Sequence, residues 1–222
     1  MRKILITILI FGSLFSQSQT TFYLEATGTT DVVPATTGWT SSGSSIVRQL
    51  SPTGFKTSTT IASTTIAVST AVNDITLFGR FISPALMAQT ISGTVTGYAR
   101  LSIANASGAT CQSRIKITVV NRAGAIVATL LATTSGGSNL TNTLTSYQIA
   151  NAAALSSYAC ATGDRIVVEI GIGRTVGTTA RNGDISFGSS SATNITAAGS
   201  TTANNPVVTF SGNLTFYKGI TF

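Results

Sequence analysis

The sequence contains no histidine in 222 residues, and that absence excludes more chemistry than any motif present supplies. Without imidazole there is no Ser-His-Asp or Cys-His nucleophile pair and no histidine-ligated zinc or iron site. Carboxylates are scarce: Glu25, Asp31, Asp74, Asp164, Glu169 and Asp184 make up the whole set. A glycosidase needs two of them facing each other across a cleft. Asp74 and Asp164 stand at turn-to-strand junctions, where aspartate commonly serves as a turn acceptor. Glu169 shares a strand face with Arg165, which reads as a surface charge pair. No Asp-x-Asp-x-Asp spacing marks a calcium loop. The expectation is a chain that is not an enzyme and holds neither metal nor cofactor.

Charge of either sign is also sparse, at 9% of residues. Polarity comes instead from Thr, Ser, Asn and Gly, the composition of extracellular β-proteins rather than of charge-rich disordered chains. The net charge of +7 falls to +5 without Arg2 and Lys3. The remaining cations are scattered, with no basic stripe for nucleic acid, so no nucleic-acid partner is expected. The N-terminus "MRKILITILIFGSLFSQSQ" has two cations, an apolar run from Ile4 to Phe15 and small residues at Ser16 and Ser18. That is the layout of a signal peptide, with cleavage expected after Ser18. The run is shorter than the roughly 20 apolar residues of a membrane span, though a retained hydrophobic anchor is the alternative. Residues 1–18 are thus set apart, and residues 19–222 are expected to form one exported domain, extracellular and without a stable span.

Only two cysteines are present, Cys111 and Cys160. Each precedes a strongly patterned strand, which could place both at the same end of a sandwich. In an exported chain a disulfide is expected, worth roughly 4 kcal/mol for a loop of this length. The alternative is two buried free thiols. The spacing is not CxxC, which argues against a redox or metal role.

What the sequence does have is strand periodicity. In "QTISGTVTGYARLSI" (89–103), Ile91, Gly93, Val95, Gly97, Ala99, Leu101 and Ile103 alternate with Thr90, Ser92, Thr94, Thr96, Tyr98, Arg100 and Ser102. Successive strand side chains point to opposite faces, so this predicts a long strand with one dry and one wet face. Similar patterns predict strands over 21–26, 46–50, 59–68, 75–82, 112–121, 125–132, 142–149, 165–173, 183–188, 207–211 and 213–217. Only "ANAAALSSYACA" reads as helix-like, and the Gly/Ser/Thr/Asn stretches at 36–45, 133–141 and 189–205 read as loops. The fold class expected is all-β, a jelly-roll-like antiparallel β-sandwich. Tyr98 and Arg100 on the wet face, and Trp39 in a glycine-preceded loop, are the candidate binding residues.

"LFGRFISPALMAQTISGTVTGYARL" (77–101) and "ALSSYACATGDRIVVEIGIG" (154–173), joined by "TVVNRAGAIVATLL", resemble a module of virion structural proteins in tailed bacteriophages and prophages. The late "GDISFG" and "NPVVTFS" and the early "FYLEATGTTDVVPATTGW" are similar to it as well. The resemblance implies a jelly-roll structural protein. The function expected on this basis is a non-catalytic structural or adhesion protein of a virion or cell surface. Its partners would be copies of itself or other virion and surface proteins, with glycans a further possibility. The alternatives are a secreted carbohydrate-binding module and a small outer-membrane β-barrel.

Overall fold

The computed structural model describes residues 19–26, 32–35, 38–39, 47–52, 62–104, 109–188, 193–202 and 204–217. The expected signal peptide and Asp31 lie outside the described residues. Thirteen strands follow one another, with no helix among the described residues. They are β1 (Thr20–Leu24), β2 (Val47–Pro52), β3 (Ala62–Val68), β4 (Ile75–Ile82), β5 (Gln89–Ile91), β6 (Thr94–Ile103), β7 (Thr110–Val120) and β8 (Ile126–Asn139). The rest are β9 (Thr145–Ala154), β10 (Tyr158–Cys160), β11 (Arg165–Val176), β12 (Arg181–Phe187) and β13 (Val207–Phe210). The strands form where β-branched residues recur at every second position. In β7, Ile115, Ile117 and Val119 are buried, and in β11 so are Ile166, Val168, Ile170 and Ile172.

Eleven strands form one sheet in the order β3-β12-β6-β13-β1-β2-β4-β11-β7-β8, with β9 on the other edge of β6. β12 and β13 share one edge of β6 end to end, from Arg100 to Ile103 and from Val95 to Tyr98. Pairing within the sheet is antiparallel except between β2 and β4. The sheet folds over on itself into two layers around a common core. Phe81 of β4 and Phe187 of β12 meet across it with ring centroids 5.0 Å apart. The fold is an all-β, jelly-roll-like sandwich. Among the described residues β3 and β8 stand unjoined at the two ends of the strand order, so the described sheet does not close into a barrel and the outer-membrane alternative is corrected.

Four sequence expectations are revised. The segment 89–103 is two strands rather than one. At Gly93 the backbone enters the left-handed region (φ +95°), and β5 leaves the main sheet to pair with β10. The helix-like stretch is the end of β9 followed by β10. The loop expected at 133–141 is largely the second half of β8. Over 213–217 only an isolated bridge between Leu86 and Phe216 forms.

The disulfide is also corrected: Cys111 and Cys160 are buried free thiols. Both do precede or open a strand, but β7 and β11 are antiparallel neighbours, so their starts lie at opposite ends. Cys111 is opposite Arg174, near the end of β11, whereas Cys160 lies just before Arg165, its first residue. The nine residues between Arg165 and Arg174 span roughly 30 Å at about 3.3 Å each. A disulfide needs Cα atoms within about 7 Å.

Candidate functional site

The outer face of β6 is only partly wet. Ile91, Val95, Leu101 and Ile103 are buried as the parity requires, and Thr94, Thr96 and Tyr98 are half-buried. The Tyr98 hydroxyl accepts from Gln148 Nε2 on β9 at 3.3 Å. Arg100 departs from expectation: it is 9% exposed, and its Nη2 donates to the carbonyls of Thr201 (2.9 Å) and Leu144 (3.4 Å). Burial pulls its pKa below the usual arginine value. The cause is the segment 193–202, which folds over this end of β6 and β9. Ser146 and Ser200 hold it, with the Ser200 carbonyl accepting the Ser146 N–H at 2.8 Å. Arg100 is therefore committed to internal carbonyls rather than offered to a partner.

Trp39 lies on the outer face of the other layer. Its indole N–H donates to Thr133 Oγ1 of β8 at 3.3 Å. Its ring lies against Gly171 of β11, where a Cβ would come within 3.0 Å of it. Half-buried, it is neither an open platform nor a cap on the main core. Tyr98 and Trp39 thus sit on opposite outer faces, and the three residues singled out from the sequence do not converge.

The described carboxylates are taken up by local structure. Asp74 accepts the Ile75 N–H at 2.9 Å and Asp164 the Ala161 N–H at 2.8 Å. Asp184 accepts from the hydroxyls of Thr65 and Ser102. Glu169 is not the surface pair that the sequence suggests. It is 1% exposed and stands in register between Arg80 of β4 and Lys116 of β7. Arg165 is four residues along the same strand, about 13 Å away. The segment 32–35 crosses this face, with Arg80 Nη1 donating to the Pro34 carbonyl at 2.8 Å. Val32 there joins Ile82, Val120 and Val167 in a small second core.

Beside that segment lies a groove of about 280 Å³ lined by Val32, Ala85, Arg122, Gly163, Arg165 and Tyr217. Three tight connections build it. Asn121 closes the β7–β8 turn by accepting the N–H groups of Ala123 and Ala125 through its side chain, both at 3.0 Å. The turn 161–164 places Gly163 at φ +97° and closes with Asp164 N–H donating to the Ala161 carbonyl. Tyr217 is held by its N–H, which donates to the Ala85 carbonyl at 2.8 Å. Arg122 lies across Gly163 and donates from Nη2 to the Thr162 carbonyl at 3.0 Å. Arg165 donates to the Ser83 carbonyl at 3.3 Å. The groove therefore offers two guanidiniums and a phenol above an apolar floor. A second groove of about 350 Å³, along Thr90–Gly93 and Phe210–Leu214, has no ionisable side chain in its lining. Arg122 and Tyr217 carry no sequence signal and Arg165 stands out only beside Glu169, because the β7–β11 pairing and the Tyr217–Ala85 bond are what bring the three together.

Neither a family profile nor a curated protein matches the chain. Solved structures do. Two structures of a CocE/NonD family hydrolase from Staphylococcus aureus align with 90% and 89% of this chain, at 9% and 8% identity and TM-scores of 0.51 and 0.50. A structure of infectious bursal disease virus, Gx strain, aligns with 72% of the chain and 37% of its own at 12% identity, with a TM-score of only 0.25. This chain spans 37% of the length of the hydrolase chains it matches. The likeness shows a shared fold. The expectation of a structural or adhesion protein of a virion or cell surface is corrected by it: the fold found over most of the chain is that of part of a hydrolase.

Proposed function

We propose that the chain is the β-sandwich part of a hydrolase-type assembly, a domain that docks a protein partner and carries no reaction of its own. The observation that carries this reading is the asymmetry of the match, in which 90% of this chain corresponds to 37% of a hydrolase. The fold thus occurs as one part of a larger enzyme. A sequence without histidine offers no imidazole base, and the described carboxylates are engaged in turns and strand-to-strand contacts. The partner contributes the reaction and this chain contributes surface. Export through residues 1–18 belongs to the same reading.

The test is native isolation of the tagged chain from its source cells, with mass spectrometry and a p-nitrophenyl ester assay on the eluate and on the purified chain. The expected result is a chain beginning at Gln19, inactive alone, that co-purifies with a larger polypeptide carrying the hydrolase activity. Ester turnover by the purified chain, abolished in Asp164→Asn, would overturn the non-catalytic half. A chain that purifies without any hydrolase would overturn the docking half.

A further inference from the structure

We propose that Gln19 is a modification site: once residues 1–18 are removed it closes into a pyroglutamyl ring, and the exported chain begins with a lactam instead of an amine. This rests on the export reading above and names the chemistry of the end that export creates. Cleavage after Ser18 turns an internal glutamine into an N-terminal one, with a free α-amino group within reach of its own side-chain amide. The unprotonated α-nitrogen attacks Cδ. The N–Cδ bond forms, the Cδ–Nδ2 bond breaks, and the proton shed by the amine leaves with Nδ2 as ammonia. Nothing is oxidised or reduced, and no co-reactant is consumed. An ordinary α-amino group has a pKa of about 8, so part of it is unprotonated and nucleophilic at neutral pH.

The fold sets the boundary of this reaction. Gln19 is exposed, and β1 begins at the very next residue. Thr20 is buried, its N–H donates to the Gly212 carbonyl at 3.2 Å, and its Oγ1 accepts the Leu214 N–H at 2.7 Å. Ring closure uses the α-nitrogen and side chain of Gln19 and leaves the Thr20 N–H untouched. The bond to Gly212 and the pairing of β1 with β13 therefore survive it. Cleavage one residue later would instead make the terminal amine that of Thr20, inside the sheet. The consequence of the ring is protection. Gln19 is the single residue of the exported end that stands outside β1, and the lactam removes the free amine by which an aminopeptidase grips it. It also removes one positive charge.

The experiment takes the chain as its source cells export it, parent and Gln19→Ala, through intact-mass measurement and N-terminal sequencing. Sequencing is run before and after pyroglutamyl peptidase treatment of the urea-unfolded chain. The parent should weigh one ammonia less than residues 19–222 with an open end. It should resist sequencing, and after the peptidase it should read from Thr20. Gln19→Ala should weigh the full open-chain mass and read from its first residue without the enzyme. Its melting temperature should match that of the parent, because position 19 lies outside the sheet. A parent that starts at Gln19 with full mass and a readable end would overturn the ring while the export reading stands. A parent that retains Met1, or starts at any other residue, would overturn both. Ammonia loss that persists in Gln19→Ala comes from another amide, such as Asn182 before Gly183, and would also sink the assignment.

Discussion

The two thiols illustrate how a single residue's environment sets its chemistry. Burial pushes the pKa of both Cys111 and Cys160 above the ordinary 9.0, and for Cys111 the nearby guanidiniums of Arg174, Arg114 and Arg181 only partly oppose it. A buried neutral thiol is a poor nucleophile, because the thiolate is the reactive form. Iodoacetamide should therefore leave the folded chain unmodified and label both cysteines once urea unfolds it, without any reductant. Resistance of both in the unfolded, unreduced chain would restore the disulfide. The raised values also have a stability consequence. Above about pH 9 the unfolded chain releases thiol protons that the folded chain retains, so the contribution is present below that pH and lost as pH rises. Cys160→Ala should accordingly show a smaller fall in urea midpoint than the parent between about pH 8 and pH 10.5. A fall of equal size in both would remove Cys160 from the account.

At the scale of one element, β6 keeps the asymmetry that its alternation announces. Val95 is fully buried, so Val95→Asp places an unpaired carboxylate in the core and should abolish cooperative unfolding. Thr96 next to it is half-buried, and its Oγ1 accepts the Ala152 N–H at 3.3 Å, a role an aspartate oxygen can also fill. Thr96→Asp should shift stability by about 0.5 kcal/mol or less. Equal destabilisation in chemical denaturation would mean that both faces of β6 are covered. The same strand shows where the sequence stops being legible. Period-two alternation is a local signal, and it located most strands, β4 to its exact ends. The break at Gly93 depends on a backbone angle that alternation does not encode, and the alanines of 150–154 favour helix locally while the edge of β6 recruits them as strand. Arg100 looked solvent-facing because the segment that covers it lies about a hundred residues away in sequence. The groove was illegible for a related reason. "NRAG" and "GDR" each put an arginine at a strand end, but only the pairing of Arg165 with Val120 makes those ends neighbours.

For the whole molecule, two layers make one core where their side chains pack tightly together, and Gly183 of β12 marks one such place. A Cβ there would lie 2.6 Å from Ile172 Cδ1 of β11, 2.8 Å from Phe78 Cζ of β4 and 3.1 Å from Val68 Cγ2 of β3. Phe78 reaches that position because it is the extra residue in a bulge: Ile170 pairs with Gly79 and Gly171 with Leu77, leaving Phe78 unpaired. Bulges of this kind re-aim a side chain, here into the core. Gly183→Ala adds one methyl group to a filled interior without demanding an unusual backbone angle. Overpacking of this sort costs about 1–3 kcal/mol. Ile172→Val removes the nearest obstructing carbon and by itself costs about 0.5–1.5 kcal/mol. Because both changes act on one contact, the double variant should lose less than the two single variants together. Strict additivity in urea unfolding would show that β11 and β12 do not meet at this glycine, and the two-layer packing would need to be redrawn.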